Sequence, residues 1–351
     1  MLLKDEVYIK RCLQIAKNGN ALAKPNPSVG AIIVVDDHII GEGFTSPFGG
    51  PHAEINAIKS VKDISVLKQA TLYVTLEPCS HFGKTPPCAN AIVKHKFKRV
   101  VIGCLDVNPK VSGNGVRILE EAGIEVTKGV LESACKMHHQ AFFTQYQLKR
   151  PYVILKWAQT KTGYMAPLKQ AQRKPFWITN SYSKQLVHKW RAEEQAILVG
   201  TTTVLKDNPK LNTRTWFGES PLRVVLDAQL KLPAESFVFD QSVKTLVLVD
   251  ESLSHKVPNQ SENLLFETIN FNAKVPEQIC EVLHRYNIQS VIIEGGAQTL
   301  QSFMEANLWD EARVFEGENS IEEGLEAPKI TERITSETFI LNDKLTFYHN
   351  D

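Results

Sequence analysis

Short apolar runs alternate with amphipathic segments along nearly the whole of this 351-residue chain. The apolar runs are typical of buried strands, and the amphipathic segments are typical of helices that pack on them. In the first half, the predicted elements are helix 5–18, strands 29–35 and 38–45, helix 52–61, strand 70–76, helix 89–96, strand 99–105, helix 115–122 and strand 125–128. Strands and helices in this order predict an α/β layered domain.

The pattern is interrupted at Lys149-Arg150-Pro151, and a new strand is predicted at 152–157. Because domains usually contain roughly 100–200 residues, we expect two domains, 1–147 and 148–351. The second half alternates again. Its further predicted elements are strands 196–200, 222–227, 244–249 and 290–294, and helices 183–192, 275–286 and 297–306. The second domain is therefore also expected to be α/β.

Composition restricts the class of partner. The 40 basic and 39 acidic residues give a net charge of +1, without the basic excess that nucleic-acid binding usually needs. The N-terminal stretch does not have the pattern of a signal peptide, and no apolar run approaches the ~18 residues of a membrane span. These features predict a cytoplasmic protein that acts on a small molecule, away from nucleic acid and membrane.

Three residues in the first half have the chemistry of a metal site. Cys79 and Cys88 form the one close cysteine pair with a distinctive setting, and His52 stands at the start of a predicted helix. In a cytoplasmic chain such a pair favours metal binding over a disulfide. One imidazole and two thiolates leave the fourth zinc position open, as in catalytic sites. A structural site is the alternative, and His81 is the candidate for its fourth ligand.

Glu54 lies two residues after His52, close enough to reach a zinc-activated water without being a ligand. A carboxylate there can carry a proton from water to the substrate. The order H-x-E followed by Pro-Cys and a second Cys is the signature of base deaminases. Here eight residues separate Cys79 from Cys88, whereas that signature has two. The sequence therefore predicts a zinc-dependent deaminase with a lengthened loop.

Three segments, 26–30, 52–54 and 77–88, resemble the deaminase of riboflavin biosynthesis; they read Asn-Pro-Ser-Val-Gly, His-Ala-Glu and Glu-Pro-Cys-Ser-His-Phe-Gly-Lys-Thr-Pro-Pro-Cys. The resemblance implies a cytidine-deaminase-like α/β/α layered domain. It also implies a phosphorylated pyrimidine substrate, a diaminopyrimidinone ribosylamine 5′-phosphate, whose 2-amino group is hydrolysed. The substrate-binding residues that it implies are Asn26, His81, Lys84, Asp106 and Asn108.

The second half resembles the reductase of the same family, which implies a dihydrofolate-reductase-like α/β fold and NADPH as hydride donor. The resemblance runs from Pro151 to Glu294-Gly295-Gly296, and no G-x-G-x-x-G supports a Rossmann domain. The implied NADPH contacts are Ala158, Trp177, Thr203, Asp207, Gly295 and Gly296. The implied substrate contacts are Lys156, Arg191, Leu211, Arg214 and Glu294. The two arginines are expected to face a phosphate.

One motif departs from the family. The usual Ser-Leu-Asp-Gly reads Thr160-Lys161-Thr162-Gly163 here, which removes an aspartate from the reductase half. Two alternatives therefore stand beside the bifunctional enzyme. One is a deaminase whose second domain only binds ligand or mediates assembly. The other is a nucleoside or tRNA base deaminase with an appended domain. In each case we expect a homo-oligomer.

Overall fold

The protein is described here by a computed structural model that covers residues 2–82, 86–108, 112–169 and 172–350. The chain divides into two units, Met1–Leu148 and Lys149–Asp351. Each unit is built on its own central sheet. Within the described part of the chain, no helix is both long and apolar enough to cross a membrane.

In its described residues, the first unit has a five-stranded sheet with order β2-β1-β3-β4-β5, six α-helices and two short 3-10 helices, Lys17–Gly19 and Ile64–Gln69. Its elements are α1 (Leu2–Ala16), β1 (Gly30–Val35), β2 (His38–Phe44), α2 (Ala53–Ser60), β3 (Thr71–Leu76), α3 (Cys88–His95), β4 (Arg99–Cys104), α4 (Asn114–Glu121), β5 (Glu125–Lys128), α5 (Glu132–His138) and α6 (Gln140–Leu148). β1 is antiparallel to β2 and β3, whereas β3, β4 and β5 are parallel. The nine predicted elements are present with ends shifted by a few residues; α5 and α6 were not predicted.

The parallel strands β3 and β4 place two loops at one edge of the sheet. Both strands are buried along almost their whole length, which explains their continuous apolar sequence. Parallel neighbours end on the same side, so the segment after Leu76 and the segment after Cys104 lie side by side. This edge is where the metal-binding motif and the expected substrate loop meet.

Two glycines of β2 bring helix α2 into direct contact with the sheet. A Cβ on Gly41 would lie 2.7 Å from the carbonyl oxygen of Ala57, and one on Gly43 would lie 2.5 Å from that of Ala53. Distances of this kind leave no room for a side chain. The position of α2 on the sheet is therefore fixed by backbone contact.

The second unit has a nine-stranded sheet with order β11-β10-β9-β8-β12-β6-β13-β16-β15 and a two-stranded sheet of β7 and β14. Its elements are β6 (Tyr152–Thr160), β7 (Tyr164–Pro167), α7 (Ser181–Glu193), β8 (Ala196–Val199), α8 (Thr201–Asp207), β9 (Leu222–Leu226), β10 (Thr245–Asp250), β11 (Leu264–Ile269), α9 (Val275–Arg285), β12 (Ser290–Gly295), α10 (Ala297–Glu305), β13 (Glu311–Gly317), β14 (Gly324–Glu326), β15 (Ile334–Ile340) and β16 (Asp343–His349). From β11 to β13 the strands are parallel, and β16 and β15 are antiparallel.

All predicted elements of the second half are present, but seven others were not predicted, namely β7, α8, β11, β13, β14, β15 and β16. Two of the missed strands near the C-terminus, β14 and β15, have mixed sequences, and every residue of both is at least partly exposed. Such an edge strand lacks the apolar alternation by which strands are predicted. Pairing with β16 holds β15 in place.

Candidate active sites

The three predicted metal ligands come from three different elements of the first unit. His52 is the N-cap of α2, Cys79 follows β3, and Cys88 is the first residue of α3. The N–H of Cys88 donates to the Cys79 sulfur at 3.3 Å, and the N–H of Ala89 donates to the Cys79 carbonyl at 3.1 Å. The start of α3 is therefore bonded directly to the loop after β3, which brings the two cysteines together.

The ligand atoms have the spacing that zinc requires. The Cys79 and Cys88 sulfurs lie 3.5 and 3.4 Å from Nδ1 of His52, and all three atoms lie within 4.8 Å of one another. A tetrahedral zinc with Zn–S of about 2.3 Å and Zn–N of about 2.0 Å separates sulfur from nitrogen by roughly 3.6 Å. These residues fit the metal. His81 is outside this cluster, so the described ligands leave an open position, as in a catalytic site.

The charges around the ligands suit a metal and a proton carrier. A hydrogen bond from Cys88 is the main reason why the pKa of Cys79 falls to about 4, and it raises the pKa of Cys88. A bound cation deprotonates coordinating thiols outright. Glu54, on the first turn of α2, is buried, and its burial followed by the Cys79 charge raises its pKa to about 7. A carboxyl with that pKa both gives and takes protons near neutral pH.

A cavity of about 210 Å³ opens beside the ligands, and it contains most of the predicted substrate residues. The predicted residues that line it are Asn26, His52, Glu54, Cys79, His81, Asp106 and Asn108. They come from four separate segments of the sequence. Lys84, also predicted to bind substrate, lies outside the described residues.

The structure adds residues that the sequence interpretation missed. Phe142 and Tyr146 on α6 and Phe48 before α2 also line the cavity. The two α6 rings pack at 4.8 Å between centroids. Their i, i+4 spacing is a helical signal that was available in the sequence. Aromatic walls of this kind are suited to a flat heterocyclic ring.

In the second unit, three predicted substrate residues form a buried ionic cluster. Arg191 Nη2 lies 2.5 Å from Glu294 Oε2, and Lys156 Nζ lies 3.8 Å from Glu294 Oε1. All three side chains are at most 15% exposed. Among the described polar atoms, Glu294 Oε1 and Arg191 Nε are buried without a hydrogen-bond partner. Buried polar atoms without partners mark a place where a ligand can complete the bonding.

Arg214 lies next to this cluster. Its backbone N–H donates to Nδ1 of His188 at 3.2 Å, and its guanidinium donates to the Asn212 side chain. Burial, followed by Arg191 and Arg214, lowers the pKa of His188 to about 4, so the ring is neutral and accepts the bond. The side chain of Leu211 is buried in the core beside α8. Any contact of Leu211 with a ligand would therefore be made by its backbone.

The predicted NADPH residues fall into two groups. Gly295 and Thr203 lie together, because a Cβ on Gly295 would be 2.8 Å from the Thr203 hydroxyl, and Gly296 has φ +78° at the start of α10. Asp207 ends α8, the helix of Thr203. The contacts described for the other two residues, Trp177 and Ala158, do not involve Gly295 or Thr203. Trp177 is half exposed with Lys184 Nζ 4.0 Å from its ring, and Ala158 pairs with Phe315. The turn at Gly295 suits close approach of a phosphate to helix amides.

Residues 160–163, where the sequence differs from the usual family motif, form the turn between β6 and β7. The hydroxyls of Thr160 and Thr162 lie 2.8 Å apart, and Thr162 donates to the carbonyl of Ile321 at 3.1 Å. Gly163 has φ +83° between β6 and β7. The threonine hydroxyls therefore find partners within the unit, and the turn keeps its glycine.

Glu294→Gln is expected to destabilise the second unit by roughly 3–5 kcal/mol, because it leaves the buried Arg191 and Lys156 without their counter-charge. Scanning calorimetry of the full chain measures this as a lower midpoint for one transition. The matched control is Glu267→Gln, since Glu267 pairs with the largely exposed Arg285. There we expect no more than about 1 kcal/mol. Equal shifts for the two variants would contradict a buried ionic cluster.

Comparisons with known families agree with both units. Residues 3–104 match the family described as "Cytidine and deoxycytidylate deaminase zinc-binding region". Residues 151–317 match "RibD C-terminal domain". The two matches cover the metal site and the Lys156–Glu294 cluster, respectively.

Relatives match across both units. The "Riboflavin biosynthesis protein RibD" of Aquifex aeolicus is 39% identical over 324 residues, 92% of this chain and 89% of the relative. That of Escherichia coli is 32% identical over 327 residues, 89% and 87% of the two chains. Among solved structures, RibD of Acinetobacter baumannii superposes with TM-score 0.88 at 32% identity, over 100% of both chains.

The solved Thermotoga maritima diaminohydroxyphosphoribosylaminopyrimidine deaminase/5-amino-6-(5-phosphoribosylamino)uracil reductase superposes with TM-score 0.89 at 35% identity, over 100% of this chain and 99% of that one. The similarity thus extends over both units and both sites. The chain therefore belongs to the RibD family of riboflavin biosynthesis proteins and is a bifunctional enzyme with a zinc-dependent deaminase and an NADPH-dependent reductase.

Proposed function

We propose that the first unit hydrolyses the 2-amino group of 2,5-diamino-6-(5-phosphoribosylamino)pyrimidin-4(3H)-one. The second unit then reduces the ribosyl group of the product to a ribityl chain. The observation that carries this proposal is the 210 Å³ cavity, in which Asn26, His81, Asp106 and Asn108 surround Glu54 and the ligand cluster. A small polar cavity with aromatic walls beside a metal site suits one pyrimidine and its ribose.

In the deamination step, Glu54 is the catalytic proton carrier. His52, Cys79 and Cys88 would hold the zinc, which would lower the pKa of a water to about 7 and so supply a nucleophile at neutral pH. Glu54 takes one proton from that water and delivers it to the ring, and then carries the second proton of the water to the amino group, which leaves as ammonia. Glu54 is buried and lines the cavity that is proposed to hold the substrate.

The cavity residues hold the substrate. Asn26 offers an amide to the polar edge of the ring, and Asp106 and Asn108 offer acceptors and donors to the amino groups and ribose. Burial raises the pKa of Asp106 to about 6. His81 and, from the sequence alone, Lys84 are proposed to contact the ribose phosphate. A cation in the loop after Cys79 would neutralise part of the phosphate charge.

In the reduction step, the second unit binds an opened ribose beside the Lys156–Glu294 pair. NADPH, when bound by this unit, would supply the hydride. Lys156, whose pKa is lowered first by burial, is proposed to contact the ribose and donate a proton to its oxygen or nitrogen. Arg191 and Arg214 are proposed to bind the substrate phosphate, with Glu294 and the main chain of Leu211 completing the site.

The NADPH contacts are proposed to be Ala158, Trp177, Thr203, Asp207, Gly295 and Gly296. The first turn of α10 directs its N–H groups toward the Gly296 side, where a phosphate is stabilised by the helix dipole. The half-exposed ring of Trp177 provides an aromatic face for a nicotinamide or adenine ring.

Arg214→Ala is expected to raise the KM of the reduction step by roughly 10- to 100-fold, because a charge-assisted bond to phosphate is worth about 1.5–3 kcal/mol. Ammonia release should be unchanged. The matched control is Arg285→Ala, which removes a largely exposed arginine of the same unit. Steady-state NADPH oxidation at varied substrate concentration measures the effect. A KM equal to that of the control variant would show that Arg214 does not bind the substrate phosphate.

The proposed function as a whole is tested by a two-step assay on the zinc-loaded protein with the diaminopyrimidinone ribosylamine phosphate and NADPH. Ammonia release and NADPH absorbance are followed together. We expect both signals, with ammonia first. Ammonia release without NADPH oxidation would support a deaminase with a non-catalytic second unit. The absence of both signals would show that this compound is not the substrate.

The cellular setting is also proposed. A small phosphorylated metabolite, zinc and NADPH fit an enzyme of the cytoplasm that acts without nucleic acid, and α/β enzymes of this type commonly form symmetric homo-oligomers. Sedimentation of the purified chain measures the oligomeric state.

A further inference from the structure

Glu77 is a buried carboxylate that lines the cavity but lies outside the described cluster of metal ligands. It stands between β3 and Cys79 and is 3% exposed. Its two oxygens accept four backbone N–H groups, all from the segment that follows β4. A buried carboxylate with this many donors is held in one position, and it holds the donors in return.

One oxygen closes the expected substrate loop. Glu77 Oε2 accepts from the N–H of Asp106 at 3.2 Å and from that of Gly113 at 3.0 Å. Asp106 Oδ1 then accepts from the N–H of Asn108 at 2.7 Å, which fixes the turn between the two residues. The loop therefore begins and ends on the same oxygen atom, and residues 109–111 lie outside the described part.

The other oxygen caps helix α4. The N-cap of this helix is Gly113, which has no side chain to accept the first N–H groups. Glu77 Oε1 accepts from Gly115 at 3.0 Å and from Val116 at 3.2 Å, in place of a local cap. A negative charge at this end also complements the helix dipole.

The same helix touches the metal loop directly. A Cβ on Gly115 would collide with the carbonyl oxygen of Pro78, the residue before Cys79. Side chain and backbone thus join the segment 77–79 to the start of α4 from both sides. These contacts connect the segment that contains Cys79 to the loop that contains Asp106.

We propose that Glu77 is a positioning residue for deamination, which holds Asp106 and Asn108 at a fixed distance from the zinc ligand Cys79. The inference rests on the proposed role of Asp106 and Asn108 in substrate binding. In this role Glu77 acts through the loop that its oxygens hold, and it is not one of the described metal ligands. Its removal should therefore alter substrate binding more than metal binding.

Glu77→Gln tests this, because the amide group replaces one acceptor oxygen by a donor that faces N–H groups. We expect the KM for the pyrimidine in ammonia release to rise roughly 10- to 100-fold, since small displacements of binding groups have effects of this size. The value of kcat should change less, and zinc content and NADPH-dependent reduction of the deaminated intermediate should stay at wild-type level. Glu132→Gln, at a more exposed glutamate of the same unit, is the control.

Two further variants keep the test decisive. Glu77→Asp retains the charge but reaches fewer of the N–H groups, so its KM should lie between those of wild type and Glu77→Gln even if the latter folds poorly. In the double variant Glu77→Gln/Asp106→Asn, the second change should add little to KM, because a displaced Asp106 no longer binds substrate. Residues that act as a unit give non-additive effects.

Glu77→Asp and Glu77→Gln with lowered melting temperature but wild-type KM would overturn the proposal and leave Glu77 a structural residue. Additive effects in the double variant would overturn it as well. If Asp106→Asn alone leaves KM unchanged, the substrate role of the loop fails together with the inference. A raised KM for Asp106→Asn beside a normal KM for the Glu77 variants rejects the inference alone.

Discussion

Glu54→Gln is expected to reduce the rate of ammonia release by roughly 10²–10⁴-fold, the usual contribution of a general acid–base group. The amide keeps the shape of the side chain but cannot carry a proton. Because Glu54 is outside the cluster of ligand atoms, zinc should remain at the wild-type level. Metal analysis and an ammonia assay on the same preparation measure the two quantities.

The control is Glu121→Gln, which changes an exposed glutamate of the same unit that pairs with Arg117. It should leave both quantities unchanged. The reduction of added deaminated intermediate by the Glu54 variant serves as a second control, because that site lies in the other unit. Loss of zinc from Glu54→Gln in step with activity would assign Glu54 to metal binding instead.

Cys88→Ala is expected to have the opposite signature, with loss of zinc and loss of ammonia release together. It removes one of three protein ligands, and a thiolate is the strongest zinc donor in the set. The Cys79 sulfur also loses the hydrogen bond that lowers its pKa. Metal content after dialysis, measured beside ammonia release, checks the prediction.

Cys12→Ala is the matched control, since Cys12 is a buried cysteine of the same unit that packs in the core and donates to the Tyr73 carbonyl. It should keep its zinc. Full retention of zinc by Cys88→Ala would show that the ligands are assigned wrongly. The pair of variants separates the two functions of the site, because Glu54→Gln keeps the metal and Cys88→Ala loses it.

The metal site was predictable because its chemistry is local. His52, Glu54 and Cys79 carry a spacing that few other functions need, and the α/β order of the elements places them at strand and helix ends. The structure adds the distances that the spacing only implied. The prediction of the RibD family and of both fold classes is confirmed by the relatives and by the two family matches.

Other parts depend on contacts between distant segments. The two bonds by which Glu77 caps α4 join residues 38 and 39 positions apart, so no short sequence motif could have predicted them. Tyr146 enters the cavity because α6 folds over the site, although α6 was not predicted. For such residues the local sequence indicates only a secondary-structure propensity, and tertiary packing determines where the side chain lies.

In the second unit, the Lys156, Arg191 and Glu294 cluster came from the family resemblance and not from any pattern of spacing. The structure brings these three side chains together from β6, α7 and β12. The turn at 160–163 shows how the lost aspartate is accommodated, since two threonine hydroxyls bond there. The roles of the individual substrate and NADPH residues stay predictions.

The backbone contact between β2 and α2 has a consequence for how this enzyme tolerates change. His52 and Glu54 belong to one turn of α2, so the ligand and the proton carrier move as one body. Gly41 and Gly43, which have no Cβ, determine how closely α2 packs on the sheet. A single methyl group at either position would displace α2 and so shift both His52 and Glu54. The placement of the metal ligand His52 and the proton carrier Glu54 therefore depends on the absence of side chains at Gly41 and Gly43.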